Sequence, residues 1–167
     1  KVIGYTIAHA LAAWPQQDLR LYVGCYANDP ATVEAALRGA AGDRRLRIVI
    51  NDREGPTTKA ECLNRLYAAL QDDEWRSSAK FRMVVMHDAE DMVDSAALPL
   101  LDRAMDSAEF VQLPVLPLPH PQSRWIASHY CEEFAESHGK ALVVRAAFAG
   151  LPAAGVGCAF ERGMLAE

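Results

Sequence analysis

The chain has 167 residues, of which 51% are hydrophobic and 23% are charged, a composition typical of one globular domain with a hydrophobic core. Its net charge of −5 comes from 17 basic and 22 acidic side chains, which argues against general nucleic-acid binding. The four cysteines lie far apart and form no zinc-binding pattern, so we expect small core residues in a reducing compartment: Cys25, Cys62, Cys131 and Cys158.

Strand-like runs alternate with helical patterns along most of the chain. Apolar periodicity and breaker residues predict helices over Val2–Trp14, Pro30–Ala41, 59–70, Ser95–Met105 and Ser123–His138, the last ended by Gly139. Short β-rich runs predict strands at Leu19–Tyr26, Leu46–Ile50, Phe81–Met86 and Phe110–Leu113. A further apolar, glycine-rich run covers Ala154–Phe160.

Two of the predicted helices carry clear start signals. Asp29 can cap the helix that has Pro30 at its first position, where a missing N–H costs nothing. Thr58 and Glu61 have the spacing of a capping box in front of the third helix.

This alternation predicts βαβ units and a three-layer α/β/α open, mostly parallel sheet. Ligands of such sheets bind at the carboxyl ends of the strands. The residues that follow each predicted strand are therefore the first candidates for a functional site.

The sharpest candidate is the acidic stretch His87–Asp91, directly after the predicted strand Phe81–Met86. If the chain stays extended, Asp88 and Glu90 point to the same side and can hold a hard divalent cation such as Mg²⁺ or Mn²⁺. The alternative is a solvated acidic turn that caps the next helix. From this segment alone both interpretations stay open.

A second candidate is the loop 51–59, which follows the predicted strand Leu46–Ile50. It ends at a helix N-terminus, where free N–H groups favour anions, and Lys59 adds a positive charge there. The loop lacks the GxxxxGK[ST] pattern of a Walker A motif. The alternative is a capped loop with one solvated lysine.

A third candidate is the segment around Gly155 and Gly157. Small residues of this kind let another backbone or a sugar approach closely, whereas the alternative is a tightly packed buried strand. A fourth set could stack on a sugar or a nucleobase, or could simply form the start of a helix: Gln122, Arg124 and Trp125.

In this order, the motifs resemble the GT-A fold of family 2 glycosyltransferases. The matching pieces are Lys59 with Leu63 and Asn64, then an apolar strand, then a DxD-like motif over Asp88–Asp91. A narrower resemblance is to bacterial inner-membrane proteins used in phage adsorption. It is carried by the segments YVGCYANDPAT, HDAEDMV, FVQLPV, EEFAESHGK and AGVGCAFERG.

The resemblance implies a nucleotide-diphosphate-sugar donor, expected to be a UDP-sugar, a saccharide acceptor and a divalent metal, Mn²⁺ or Mg²⁺. It assigns metal and diphosphate to Asp88 and Glu90, and the nucleotide-side loop to the Lys59 segment. It places the acceptor side at Gly155–Arg162, with Gly155 and Gly157 as the candidate residues. The second acid of the motif is Glu90, where the family pattern has Asp.

The same resemblance implies a GT-A (nucleotide-diphospho-sugar transferase) domain truncated at both ends, so residues 1–167 would be a partial domain of a longer chain. The family's first strand is expected before Lys1, and its catalytic base beyond Glu167. We therefore expect the 167-residue chain to be inactive alone. The whole protein is expected at the cytoplasmic face of the bacterial inner membrane, held there by segments outside these residues.

The leading function is thus the inverting transfer of a hexosyl group in cell-surface or exported polysaccharide synthesis. The alternative is a non-catalytic scaffold with this fold in an inner-membrane envelope complex used in phage adsorption. A nucleotidyltransferase shares the sheet and the metal chemistry, but it usually needs a phosphate loop after the first strand.

Overall fold

The computed structural model describes residues 1–117, 129, 131–148 and 150–166. These residues form two compact units. The first consists of Lys1–Arg82 and Ala89–Pro99, and the second of Met83–Asp88 and Leu100–Glu167.

The first unit is built on two parallel strands with a helix between them. Its elements are α1 (Ile3–Ala13), β1 (Leu21–Cys25), α2 (Pro30–Ala40), β2 (Leu46–Ile50) and α3 (Lys59–Ser77). Strand β1 pairs with β2 from Leu21 opposite Leu46 to Cys25 opposite Ile50. This βαβ unit confirms the predicted alternation, and it brings the carboxyl ends of both strands to the same edge.

The helix starts follow the signals in the sequence. The carboxylate of Asp29 accepts a hydrogen bond from the Thr32 backbone N–H at 3.3 Å. The hydroxyl of Thr58 accepts one from the Glu61 backbone N–H at 3.2 Å. At the other end of α2, Ala41 adopts the left-handed conformation with a φ of 49°, which ends the helix.

Helices α1 and α2 pack against the sheet through a small apolar core. Its buried members are Ile7, Leu11, Ala36 and Ala40, and partly buried neighbours complete it: Ile3, Leu21, Val23, Leu46 and Ile48. The two helices approach closely because glycines lie where they meet. A Cβ on Gly39 would overlap the carbonyl oxygen of Gly4.

Polar side chains fix α3 to both strands of the same sheet. Asp73 on α3 accepts hydrogen bonds from the Tyr22 hydroxyl at 2.8 Å and from Arg47 Nε at 2.9 Å. Burial raises the pKa of Asp73, but the bonds from Tyr22 and Arg47 outweigh that effect and leave the pKa below its usual value. Burial, and then the bond to Asp73, raise the pKa of Tyr22.

The second unit contains a three-stranded sheet in the order β3-β5-β4. Its strands are β3 (Met83–Met86), β4 (Phe110–Gln112) and β5 (Cys158–Glu161), and α4 (Ala97–Ala104) has residues in both units. A π-helical stretch at Ala135–Ala141 leads into α5 (Leu142–Ala147), and a 3₁₀ turn covers Gly163–Ala166. The core of the unit combines Leu101, Met105 and Ala159 with partly buried residues: Met83, Val85, Val111 and Leu113.

The sheet of this unit differs from the mostly parallel sheet that the sequence predicted. Strand β5 lies between β3 and β4 and runs antiparallel to both. The alternation of strands and helices ends at β4, so β5 is not reached by a right-handed βαβ crossover and enters the sheet from the opposite end. Strands β3 and β4 therefore remain parallel to each other on either side of it.

Two predictions concern the segment between β4 and β5. The prediction that Gly139 ends a helix was wrong, because helical structure continues through it to Ala147. A glycine inside a helix costs only about 1 kcal/mol, and the residues after it suit a helix. Residues 123–128 and 130 of the predicted helix Ser123–His138 lie outside the described residues, as do Gln122, Arg124 and Trp125.

All four cysteines have free thiols. Cys25 and Cys158 are buried, which confirms the expectation of core positions for these two. Burial raises the pKa of the Cys25 thiol, so that side chain stays protonated at neutral pH.

Candidate functional site

The acidic motif lies where the sequence placed it, at the carboxyl end of β3. Asp88 is the second residue after this strand and is half-buried, whereas Glu90 is exposed in a turn with Ala89. The chain therefore does not stay extended from Asp88 to Glu90, and the alternation that was expected to turn both carboxylates to the same side does not apply. Asp91 is half-buried. Within the described ranges, no three or more His, Cys, Asp or Glu side chains group together as a ready-made metal site.

The chain beyond the acidic motif is anchored to α1 and to the residue that follows this helix. The Nε2–H of His9 donates to the backbone carbonyl of Val93 at 2.7 Å, and the indole N–H of Trp14 donates to that of Asp94 at 3.0 Å. The side chains of Trp14 and Val93 are buried. The backbone at Val93 and Asp94, two and three residues after the motif, is therefore held in place by side chains of the first unit.

The glycine-rich segment lies beside the strand that leads to Asp88. The backbone N–H of Gly157 donates to the carbonyl of Met86, the last residue of β3, at 2.8 Å. On the other side, the carbonyl of Gly157 accepts from the Leu113 N–H at 2.9 Å. The second unit thus brings the predicted acceptor-side loop to the end of β3, two residues before Asp88.

This loop has a backbone that suits glycine at two positions. Gly155 has a φ of 76° and Gly157 a φ of 62°, both in the left-handed region that other residues rarely adopt. Gln112, the last residue of β4, holds the loop with both ends of its side-chain amide. Its Nε2 donates to the Val156 carbonyl at 2.8 Å, and its Oε1 accepts from the Ala154 N–H at 2.9 Å.

In the first unit, the loop in front of Lys59 is joined to the segment that follows β1. The side-chain amide of Asn28 makes two hydrogen bonds with Gly55, donating to its carbonyl at 2.8 Å and accepting from its N–H at 3.0 Å. The hydroxyls of Tyr26 and Thr57 lie 2.9 Å apart. A Cβ on Gly55 would come within 2.7 Å of the Tyr26 ring, so a glycine is required there.

Lys59 is the first residue of α3 and is exposed. Several charges near this helix start are neutralised in pairs: Arg53 lies 3.4 Å from Glu61, and Arg65 lies 3.2 Å from Asp52. Asn51, buried at the end of β2, donates its amide to the Cys25 carbonyl at 2.9 Å. The two strand ends of this unit are therefore tied together beneath the loop.

Three residues that hold these loops were not predicted from the sequence: Tyr26, Asn28 and Gln112. Tyr26 and Asn28 follow β1 directly, so the rule that drew attention to strand ends could have found them. Gln112 carries no such signal, because its role depends on a loop more than 40 residues later in the chain.

The structure is that of a mixed α/β protein. Polar segments follow three of its strands: one after β1, the loop 51–59 after β2 and the acidic motif after β3. The family model described as "Glycosyltransferase like family 2" matches residues 1–167. The chain therefore belongs to this glycosyltransferase family, which confirms the resemblance in its motifs.

Two curated relatives extend this comparison. Bacteriophage adsorption protein B of Escherichia coli strain K12 is 34% identical over 162 residues, which cover 96% of this chain and 22% of the relative. Bacteriophage N4 adsorption protein B of Escherichia coli O157:H7 matches with the same identity and coverage. The chain thus spans about a fifth of the length of these relatives, and no solved structure matches it. Across the described part of the chain, no helix has the length and apolar character to cross a membrane.

Proposed function

We propose that these residues form part of an inverting glycosyltransferase that moves a hexosyl group from a UDP-sugar to a saccharide acceptor. The observation that carries the proposal is the acidic motif after β3 in a chain that belongs to family 2. The product would be a cell-surface or exported polysaccharide. The proposal includes the three-layer GT-A arrangement for the complete domain.

Charge explains why the donor would need a cation at this motif. Three carboxylates lie within four positions, and a sugar nucleotide adds a negative diphosphate. At about 4 Å and an effective dielectric constant near 20, each pair of like charges costs roughly 4 kcal/mol. The acidic motif can therefore hold a diphosphate only when positive charge lies between them.

The donor atoms suit a hard divalent cation. Carboxylates at Asp88 and Glu90 are the oxygen ligands that Mg²⁺ and Mn²⁺ prefer, and such sites commonly take one or two protein carboxylates plus phosphate oxygens and water. The bound cation would supply charge neutralisation for the departing diphosphate. Asp91, which lies beyond the turn at Ala89 and Glu90, has a lesser role in the proposal.

Lys59 would contribute on the nucleotide side. It lies at the N-terminus of α3, where the helix dipole also favours an anion. The hydrogen bonds from Asn28 and Tyr26 would hold the loop 51–59 in one conformation, so that the N-terminus of α3 stays accessible to the nucleotide. The acceptor would approach over Gly155 and Gly157, and the base that deprotonates its hydroxyl would be a carboxylate beyond Glu167.

A non-catalytic scaffold is the second candidate, and the names of the relatives favour it. Both are adsorption proteins, so the whole protein could keep the fold as part of an envelope complex used by phage. In either case we place the protein at the cytoplasmic face of the bacterial inner membrane, anchored by segments outside residues 1–167. A catalytic carboxylate beyond Glu167 separates the two candidates, since a scaffold does not require it.

Sugar transfer by the full-length protein tests the proposal. Membranes that contain the protein are incubated with labelled nucleotide sugars, Mn²⁺ and a saccharide extract, and the labelled saccharide is measured. We expect transfer by the wild type, loss of transfer in Asp88→Ala, and normal transfer in Asp18→Ala, which removes an exposed carboxylate elsewhere. Equal transfer by wild type and Asp88→Ala would contradict the assigned site, and no transfer by the wild type would favour the scaffold.

A further inference from the structure

We propose that Gln112 is a positioning residue that holds the Gly155–Gly157 loop in the shape that receives the saccharide acceptor. This inference rests on the proposed function, since it takes the loop as the acceptor side. The amide of Gln112 is engaged by backbone groups of the loop and of Leu113, so its effect on the reaction would pass through the loop.

The amide of Gln112 meets the loop from both directions. Its Nε2 lies 2.8 Å from the Val156 carbonyl, 3.3 Å from the Gly157 carbonyl and 2.9 Å from the Leu113 carbonyl. Its Oε1 accepts the Ala154 N–H at 2.9 Å. A side chain with only donors or only acceptors could not make both sets of bonds, so the amide group is specifically suited to this place.

The loop depends on this support because it lacks regular structure of its own. Residues 151–157 lie in no helix or strand, and two of them are glycines with left-handed backbone angles. Glycine loses more conformational freedom on ordering than any other residue. The loop therefore needs hydrogen bonds at several residues to stay in one conformation. Gln112 holds the loop at Ala154 and Val156, and the backbone groups of Met86 and Leu113 hold it at Gly157.

The position of the loop connects it to the proposed reaction. It is bonded to the last residue of β3, two positions before Asp88, where the donor diphosphate would be held. A displaced loop would leave the carboxylates of the acidic motif intact but would misplace an acceptor hydroxyl. A loop in the wrong shape would bind the acceptor less well, so the KM for the acceptor should rise while the KM for the donor stays nearly unchanged.

The test compares Gln112→Met with Gln71→Met in the full-length protein. Methionine matches the length of glutamine without its donors or its acceptor, and Gln71 is exposed on α3. For Gln112→Met we expect the acceptor KM to rise by at least about fivefold while the KM for the UDP-sugar stays within about twofold. Gln71→Met should leave both values unchanged.

Hydrogen exchange gives a second readout that does not require activity. In Gln112→Met the Ala154 amide should exchange at least about fivefold faster than in the wild type, because its acceptor is gone. If Gln112→Met does not fold, Gln112→Glu keeps an oxygen for Ala154 but loses the donors to the three carbonyls. That variant should keep Ala154 protected and still raise the acceptor KM.

The KM values and the exchange rate of the Ala154 amide together decide whether Gln112 positions the loop. Equal rises in both KM values, no rise in the acceptor KM, or unchanged exchange at Ala154 would overturn it. If the wild type transfers no sugar, the proposed function fails and the acceptor role of the loop fails with it. Faster exchange at Ala154 in that case would still show that Gln112 holds the loop, which separates the two failures.

Discussion

The indole N–H of Trp14 donates a hydrogen bond to the backbone carbonyl of Asp94, 80 residues further along the chain, at 3.0 Å. The carboxylate of Asp94 in turn accepts the Ala96 N–H at 2.7 Å, and its carbonyl also accepts the Ala97 N–H. The buried side chain of Trp14, the residue that follows α1, therefore fixes both the end of the acidic segment and the start of α4.

Replacement of Trp14 by phenylalanine should loosen this anchor. The variant keeps an aromatic ring but loses the N–H, and a lost hydrogen bond of this kind costs about 1 kcal/mol. We expect the amides of Ala96 and Ala97 to exchange about fivefold faster in hydrogen-exchange mass spectrometry. Trp75→Phe is the control, because Trp75 is 83% exposed; equal exchange in both variants would contradict the anchor.

Replacement of Gly39 by alanine should separate α1 from α2. The added methyl group would overlap the Gly4 carbonyl, and overpacking of this kind typically costs about 1–3 kcal/mol. The expected result is a lower midpoint of urea unfolding followed by circular dichroism. At Gly139 a Cβ meets no atom of the described residues within 4 Å, so Gly139→Ala should leave the midpoint unchanged or raise it. A Gly39→Ala midpoint equal to that of the wild type would show that the helices can move apart without cost.

The ion pair between Asp43 and Arg45 predicts a pH dependence of stability. The side-chain bond from Arg45, followed by the one from its backbone N–H, lowers the pKa of Asp43 to about 2. An unfolded aspartate has a pKa of about 3.9, so the stabilisation is complete above about pH 4 and is lost as the pH falls towards 2. Arg45 also donates to the carbonyls of Leu11 and Trp14, so this pair supports the end of α1.

Asp43→Asn should therefore melt at a lower temperature than the wild type at pH 7, and the difference should shrink between pH 4 and pH 2. Differential scanning fluorimetry across this range measures it. Asp18→Asn, at an exposed position, should show no such difference at any pH. A constant gap between wild type and Asp43→Asn from pH 7 to pH 2 would contradict the assigned pKa.

Local signals in the sequence predicted most of the first unit. Asp29, Thr58 and the apolar runs of β1 and β2 act within a few residues of the elements that they define, and the structure confirms each of them. The direction of β5 could not be predicted in this way. It depends on which end of the sheet the chain re-enters after a long connection, and no residue near β5 encodes that choice.

In the candidate site, too, some parts are set by local sequence signals and others by contacts between distant residues. The acidic motif follows a predicted strand directly, and Lys59 ends the loop that follows another, so the rule about strand ends was sufficient to select both as candidates. The bonds of Gln112 to the glycine loop and of Trp14 to Asp94 join residues more than 40 positions apart. Such contacts come from the tertiary fold, and a single sequence contains no pattern that shows them.

We propose that Asp88 and Glu90 bind a nucleotide diphosphate through a divalent cation, and calorimetric titration of the full-length protein with UDP measures this binding. We expect measurable binding with Mn²⁺ or Mg²⁺ and little or none in EDTA. Asp88→Ala should lose at least about tenfold in affinity, or roughly 1.4 kcal/mol, Asp91→Ala should lose less, and Asp18→Ala should bind as the wild type does. The same UDP affinity with and without the metal would contradict the site and leave the acidic segment as a helix-capping turn.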